Sequence, residues 1–229
     1  MLILTLDTSA SACTVALDRD GQITVRSIDE PRAHAQRLLP LMQQLCAAEN
    51  LQLQQLDALA VIAGPGSFTG LRIGMGVIQG LAYATGKPVV LLSSLAALAQ
   101  SVLTGHTLRN VLVVMQARDG EIYYGGYSRG PDGMVLAVVD DAVGPPAQLL
   151  WPQAWSRNDP YLAAGDGWHD EAALVRALGA APSQRSSETN LQMAAVCPLV
   201  RQMVEQGQVV AAELALPRYL KEQMHYRQS

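Results

Sequence analysis

The stretch Ala60–Lys87, AVIAGPGSFTGLRIGMGVIQGLAYATGK, constrains the fold more than any other part of the chain. A short apolar strand runs into a glycine-dense turn and then into a long helix that itself carries glycines. Backbone so free of side chains marks close approach, either of a ligand's phosphates or of another backbone. Ser67 or Thr69 can satisfy free amides at the start of the helix, and a helix start of that kind can receive an anion. No GxxxxGK[ST] loop is present, Lys87 sits at the wrong end of the helix, and Gly64, Gly66 and Gly70 do not have GxGxxG spacing. Anion binding and a structural turn that also shapes an interface both remain open, with the missing lysine favouring the turn.

The helix sharpens the question. Gly76 and Gly80 lie one turn apart, Ala84 continues their row, and Gly74 is nearby. A glycine inside a helix costs about 1 kcal/mol relative to alanine. A smooth face of this sort lets a second helix approach closely, from within the fold or from a partner; ordinary packing on a sheet is the alternative. Ile73, Val77 and Leu81 form an apolar stripe expected to face the sheet.

Around this segment the chain reads as strands and helices in alternation. Leu2–Leu6, Thr14–Leu17 and Gln22–Ile28 form a three-stranded meander, with Asp18–Gly21 as a turn. Leu38, Leu41, Met42 and Leu45 then recur at helical spacing, and Pro40 places the start of that helix near Gln36. Strand Leu59–Ala63, helix Leu71–Ala84, strand Val89–Leu92 and a helix capped by Ser93 or Ser94 and ending near Gly105 complete a first lobe. After Thr104–Arg109 the pattern restarts, with Val111–Ala117, Ile122–Tyr127 and Met134–Val138 as strands and Pro131–Asp132–Gly133 as a turn. A short helix around Ala147–Trp155, strand Tyr161–Ala164 and helix Glu171–Leu178 follow. Leu191–Glu205 is the last long amphipathic segment, with Pro198 imposing a bend or a late start. The expectation is an α/β protein of two related lobes with mixed sheets flanked by helices, the second lobe reduced. The first lobe is drawn at 1–105, joined by the returning helix at 191–206, the second at 106–190, and a tail at 207–229.

Composition narrows the chemistry. The 229 residues are 49% apolar, enough for real cores, and the net charge of −4 provides no general cationic surface. A large, self-sufficient nucleic-acid interface is therefore not expected. Cys13, Cys46 and Cys197 are odd in number and widely spaced, as in a reducing, cytoplasmic setting. The start MLILTLDTSAS reads as a strand rather than a signal peptide, and no apolar run approaches the roughly 20 residues of a membrane span.

His34, His106, His169 and His225 are scattered, with no HxxxH or HExxH, so no metal site is expected. Ser67 is not in GxSxG. Asp7–Thr8–Ser9 ends the first strand, where a carboxylate and two hydroxyls can orient a phosphate or simply hold a turn. Asp119 and Glu121 suit a hairpin turn, and two carboxylates alone specify little. Arg32, Arg37 and Arg72 flank the two helices of the first lobe, as partner contacts or as solvated surface charges. Pro217–Arg218–Tyr219–Leu220 has the anchors to tack the tail onto a lobe.

Several long motifs occur in one order: LTLDTSASACTVAL at Leu4–Leu17, His34–Pro40, AGPGSFTGLRIG at Ala63–Gly74, Gln79–Ala82, Ala117–Tyr123 and Pro217–Leu220. In these the chain closely resembles the bacterial TsaB (YeaZ) family over nearly its whole length. The resemblance implies an actin/Hsp70/sugar-kinase-like fold. It also implies a role in making N6-threonylcarbamoyladenosine at adenosine 37 of tRNAs that read codons beginning with A. Members of that family are related in fold to the transferase TsaD and serve as its required, non-catalytic partner; the ATPase TsaE joins the assembly. Homodimers form through the region that meets TsaD, and tRNA is met mainly through the complex.

Carried over to this sequence, the resemblance puts partner contacts at Arg37, Leu41, Leu45, Arg72, Ile73, Gly76 and Gly80. It makes Asp7, Thr8 and Ser9 the counterpart of a phosphate-binding hairpin, here vestigial. His34 stands where the related catalytic subunit begins a metal-binding HxxxH, but Leu38 occupies the second ligand's place. No catalytic residue, metal or cofactor is implied for the isolated chain, with ATP or ADP entering only at the complex with TsaD and TsaE. The competing reading is an enzyme in its own right, peptidase-like or ATP-hydrolysing, with Asp7 or Asp119 supporting turnover.

Overall fold

In the computed structural model, residues 1–30 and 33–220 are described. The first sheet contains β1 (Leu2–Asp7), β2 (Cys13–Arg19), β3 (Gln22–Ile28), β4 (Ala58–Gly64) and β5 (Val89–Ser93). The second contains β6 (Asn110–Gln116), β7 (Ile122–Arg129), β8 (Val135–Gly144), β9 (Tyr161–Ala164) and β10 (Gln184–Arg185). Their strand orders are β3-β2-β1-β4-β5 and β8-β7-β6-β9-β10, so the second sheet repeats the topology of the first. Each begins with an antiparallel meander and continues with two parallel strands. Hairpins suffice for the meander, whereas the parallel pairs need crossovers. This is the two-lobed α/β architecture implied by the resemblance.

In the first lobe the crossovers are helical: α1 (His34–Ala48) leads to β4 and α2 (Phe68–Thr85) to β5. Beyond each sheet's last strand comes a helix of the central layer, α3 (Ser94–Leu103) or α5 (Met193–Glu205), while α4 (Glu171–Leu178) bridges β9 and β10. Almost every residue of α3 is buried, as a helix apolar all round requires. Leu95, Leu98 and Val102 of α3 share one core with Val196, Cys197 and Val200 of α5, with Ile3 and Ile62 of the first sheet and with Val111 and Val113 of the second. A second core lies on the outer face of the first sheet, under α1 and α2.

The reduction of the second lobe is local. No helix forms over Ala147–Trp155; only a single 3-10 turn, Pro146–Gln148, stands between β8 and β9. Pro145 and Pro146 just before that window and Pro152 within it remove three backbone donors. The sheet is covered instead by aromatic rings. Trp155 stacks on Tyr161 at 6.0 Å, Trp151 meets Tyr161 edge-on at 5.6 Å, and Trp155 Nε1 donates to Ser128 Oγ at 2.8 Å.

Other boundaries also shift. α1 begins at His34, two positions before Gln36, and holds Pro40 within its second turn. α2 begins at Phe68 rather than Leu71, and β8 continues to Gly144 rather than ending at Val138. Pro198 lies inside α5, which starts late at Met193.

Candidate functional site

The glycine turn between β4 and α2 is held by the β1–β2 turn beneath it. Gly64 has φ +114°, a conformation open to glycine. Ser67 caps α2, its Oγ accepting from Gly70 N at 3.2 Å, while Ser67 N donates to Ser9 O at 2.8 Å. Thr8 Oγ1 donates to Gly70 O at 2.7 Å. A Cβ on Gly70 would lie 1.9 Å from Thr8 O, and one on Gly74 2.4 Å from Thr8 Oγ1. Gly70 therefore serves backbone-on-backbone packing within the chain, and Gly74 makes room for the Thr8 side chain.

That contact uses up the candidate phosphate hairpin. Asp7, Thr8 and Ser9 are all buried, and the Asp7 carboxylate accepts from Ser9 N at 2.8 Å and Ser9 Oγ at 2.7 Å. Burial pushes the Asp7 pKa up, against the Ser9 hydrogen bonds and the charge of His34, which pull it down. His34 Nε2 lies 3.0 Å from Ala10 O, closing the same turn. Asp7, Thr8 and Ser9 are turned inward, with the Asp7 carboxylate, the Thr8 hydroxyl and the Ser9 hydroxyl all engaged within the chain.

Gly76 and Gly80 are different. A Cβ on either would meet nothing within 4 Å, so this chain's own packing does not require them. The side of α2 on the sheet is Leu71, Gly74, Met75, Ile78 and Ala82. Ile73, Val77 and Leu81, expected there, lie on the flank, half-buried against the outer core. Arg72, Gly76, Gly80 and Tyr83 form the exposed row, and Tyr83 is 87% exposed.

On α1 the carried-over contacts need correction. Leu41 and Leu45 are 3% and 0% exposed, sealed in the outer core with Leu38 and Met42. The residues that α1 leaves outside include Gln36, Arg37, Leu39, Pro40 and Gln43. Leu39 was missed, although the periodicity that gathers Leu38, Leu41, Met42 and Leu45 on one face puts it on the other. Arg37 pairs with Glu30 at 2.8 Å on the surface. Arg32 and His225 lie outside the described residues.

At the start of α2 a cleft of about 1170 Å³ opens between the lobes, bounded by Pro65–Arg72, by the β6–β7 turn and Tyr123, and by Arg218–Leu220. The tail is tacked down as its anchors imply: Arg218 N donates to Ala63 O at 2.9 Å, and Arg72 Nε donates to Tyr219 OH at 3.3 Å. The Arg72 guanidinium lies 3.7 Å over the Phe68 ring, and the Phe68 and Tyr219 rings are 6.2 Å apart. Asp119, at φ +59°, sits in the tight turn closed by Glu121 N donating to Arg118 O at 3.1 Å. Behind the cleft, Asp141 of β8 accepts from Tyr127 OH and from Ser93 Oγ, tying the second sheet to the cap of α3. Arg218 Nη1 lies 3.9 Å from the same carboxylate.

His106 Nδ1 accepts from Leu108 N at 3.0 Å, and His169 lies in the short 3-10 turn Trp168–Asp170. Among the described residues no three His, Cys, Asp or Glu side chains are grouped to hold a metal ion, and no helix is long and apolar enough to cross a membrane.

Comparison with known proteins adds a family. Residues 29–223 match the family model of TsaD, tRNA N6-adenosine threonylcarbamoyltransferase. The tRNA threonylcarbamoyladenosine biosynthesis protein TsaB of Escherichia coli K12 is 34% identical over 99% of this chain and 97% of its own length. Its namesake in Haemophilus influenzae is 36% identical over 73% of each chain. The solved structure of YeaZ from Pseudomonas aeruginosa superposes with a TM-score of 0.84 at 35% identity, covering 96% of this chain and 99% of that one.

Proposed function

The chain belongs to the TsaB family of tRNA threonylcarbamoyladenosine biosynthesis proteins, within the wider TsaD-type group, and from that membership we propose that it is a non-catalytic docking subunit. Its partner is a TsaD-type threonylcarbamoyltransferase acting on adenosine 37 of tRNA. A TsaE-type ATPase joins the assembly in the cytoplasm, and a nucleotide enters only there.

The observation that carries this reading is the exposed row of α2. Gly76 and Gly80 face open space, yet each lowers the helix's own stability by about 1 kcal/mol relative to alanine. A helix from a partner can approach such a face until backbones nearly touch. Arg72 at one end and Tyr83 at the other supply the kinds of residue that dominate protein interfaces. Leu39 and Arg37 of α1 extend the surface. The inward-turned Asp7–Ser9 hairpin supports a role without phosphate chemistry of its own.

The test is the mass in solution of this chain mixed with a TsaD-type transferase, with and without ADP, alongside a transfer assay. A complex that forms, and a transferase that gains activity from it, are expected. Product formation by this chain in the absence of any other subunit would overturn the proposal.

A further inference from the structure

Among the described residues eight large apolar or aromatic side chains stand exposed, and they are unevenly placed. Leu136 and Leu150 belong to the second lobe, whereas Leu39, Phe68, Tyr83, Leu214, Leu216 and Tyr219 belong to α1, α2 or the tail. Single exposed leucines mean little, but a contiguous group marks a contact surface. The two helices already form the proposed docking face; the tail has no part in it so far.

The tail runs antiparallel to α2 and beside it. Val210 exchanges two backbone hydrogen bonds with Val89, at 2.9 and 2.8 Å. Gln79 Nε2 then donates to Ala215 O at 2.7 Å, and Tyr219 meets Arg72 near the start of the helix. Ala215 is extended and sealed in the outer core, so its neighbours Leu214 and Leu216 are turned outward, at 61% and 58% exposure. They flank α2 at the level of Gln79, which lies between Gly76 and Gly80 in sequence. Farther along, where Tyr83 faces Val209–Glu213, a hollow of about 420 Å³ opens at the end of the same strip.

A helix is about 10–12 Å across with its side chains. One seated on Gly76 and Gly80 closely enough to use the missing side chains is wider than that row, and its flank comes down on the chain alongside. The matched family region, residues 29–223, takes in α1, α2 and this tail together, so a TsaD-type chain carries counterparts of this outer face, helices included. We infer that the tail segment Leu214–Tyr219 is a direct contact for the transferase. Leu214 and Leu216 cover the flank of the partner helix that α2 receives, and the hollow beside Tyr83 takes one of that helix's large apolar side chains. The inference rests on the docking role proposed above and adds to it a surface that neither helix provides.

Titration calorimetry of the full chain against a TsaD-type transferase tests the contact. Leu214→Glu/Leu216→Glu is expected to weaken the complex about tenfold or more, and Leu214→Ser/Leu216→Ser, which adds no charge, about fivefold or more. Leu136→Glu/Leu150→Glu puts the same charges on comparably exposed leucines of the second lobe and is expected to change the affinity less than about twofold. Melting curves are expected to match the parent's, since all four side chains are more than half exposed. A photoreactive benzophenone side chain in place of Leu216 is expected to cross-link to the transferase, and one in place of Leu150 is not. Parental affinity in both tail variants overturns the inference and leaves docking on α2 standing. So does equal weakening by the second-lobe variant, or cross-linking only to a second copy of this chain. A parent chain that forms no complex at all removes the docking role and this contact together.

Discussion

Arg201 of α5 grips the carboxylate of Asp18 in β2 with both Nε and Nη2, across 183 residues of sequence. Asp18 is almost fully buried, and its Oδ1 also accepts from Gly21 N at 2.9 Å. The pair fastens the returning helix to the first sheet. Removing one member of a buried pair leaves the other charge uncompensated, at a cost of about 3–5 kcal/mol. Arg201→Ala is expected to lower stability by about 3 kcal/mol, near the bottom of that range because the arginine is partly exposed. The double variant Asp18→Leu/Arg201→Met is expected to recover most of the loss. Urea midpoints of the parent and the two variants check this, and a double variant no better than Arg201→Ala would contradict it.

The glycines of α2 divide into two sets with opposite responses. Gly80→Leu is expected to raise the melting temperature slightly, since the side chain enters open space and glycine is replaced by a better helix former. The same change is expected to abolish association with the transferase partner. Gly70→Ala is expected to prevent folding or cost several kcal/mol, because the new carbon would sit 1.9 Å from the Thr8 carbonyl. Melting curves beside a solution-mass measurement separate the two sets. A Gly80→Leu protein that still forms the complex would move the docking face elsewhere.

Asp7 predicts a particular pH response. Burial raises its pKa above the unfolded value of 3.8. Between the two values the folded chain holds more protons than the unfolded chain, so this residue's contribution to stability falls as pH rises through that window. Asp7→Asn keeps an acceptor for Ser9 without the buried charge. It is expected to be at least as stable as the parent at pH 7, with its advantage shrinking as pH falls toward 4. Denaturation series from pH 4 to 8 decide the point; an advantage that grows on acidification contradicts it.

The thiols give an alkaline counterpart. Burial pushes Cys13 up to about 11 and Cys197 up to about 12, and raises Cys46 as well. Above the unfolded value of 9.0 the unfolded chain loses thiol protons first, so stability is expected to fall as pH rises from 9. At pH 8 a disulfide reagent is expected to react slowly with the folded protein and to titrate all three cysteines once guanidinium is added. Rapid labelling of Cys13 or Cys197 without denaturant would show that the cores open readily.

At the seam between the lobes, Tyr127→Phe removes one of two hydroxyl donors to the buried carboxylate of Asp141. Burial, with Asp141 adding to it, holds the Tyr127 pKa well above 10, so the hydroxyl stays a donor throughout the accessible pH range. The expected cost is about 2 kcal/mol, the scale of a hydrogen bond to a charged group. A urea midpoint measures it.

Much of this protein was legible in the residues themselves. Gln22–Ile28, Tyr161–Ala164 and Glu171–Leu178 have the spans read from pattern and punctuation. The restart after Thr104–Arg109 proved to be a repeated strand order. Such features depend on local periodicity and turn chemistry, which the chain carries with it. The helix expected over Ala147–Trp155 failed because Pro145 and Pro146 precede the window and Pro152 interrupts it, and Trp151 and Trp155 pack edge-on and stacked against Tyr161 instead.

Only the tertiary structure decided what the glycines, the hairpin and the leucines are for. Gly74 and Gly76 look alike in sequence, but one lies against Thr8 and the other against nothing. Periodicity puts Leu39 and Leu41 on opposite faces of α1, and only burial shows which face is covered. Asp7 reads as a site until Ser9 and the first turn of α2 close over it. The physical reason is common to all three. A periodic pattern tells which residues share a face, whereas the neighbour on that face comes from segments distant in sequence, brought together only when the sheets and helices pack.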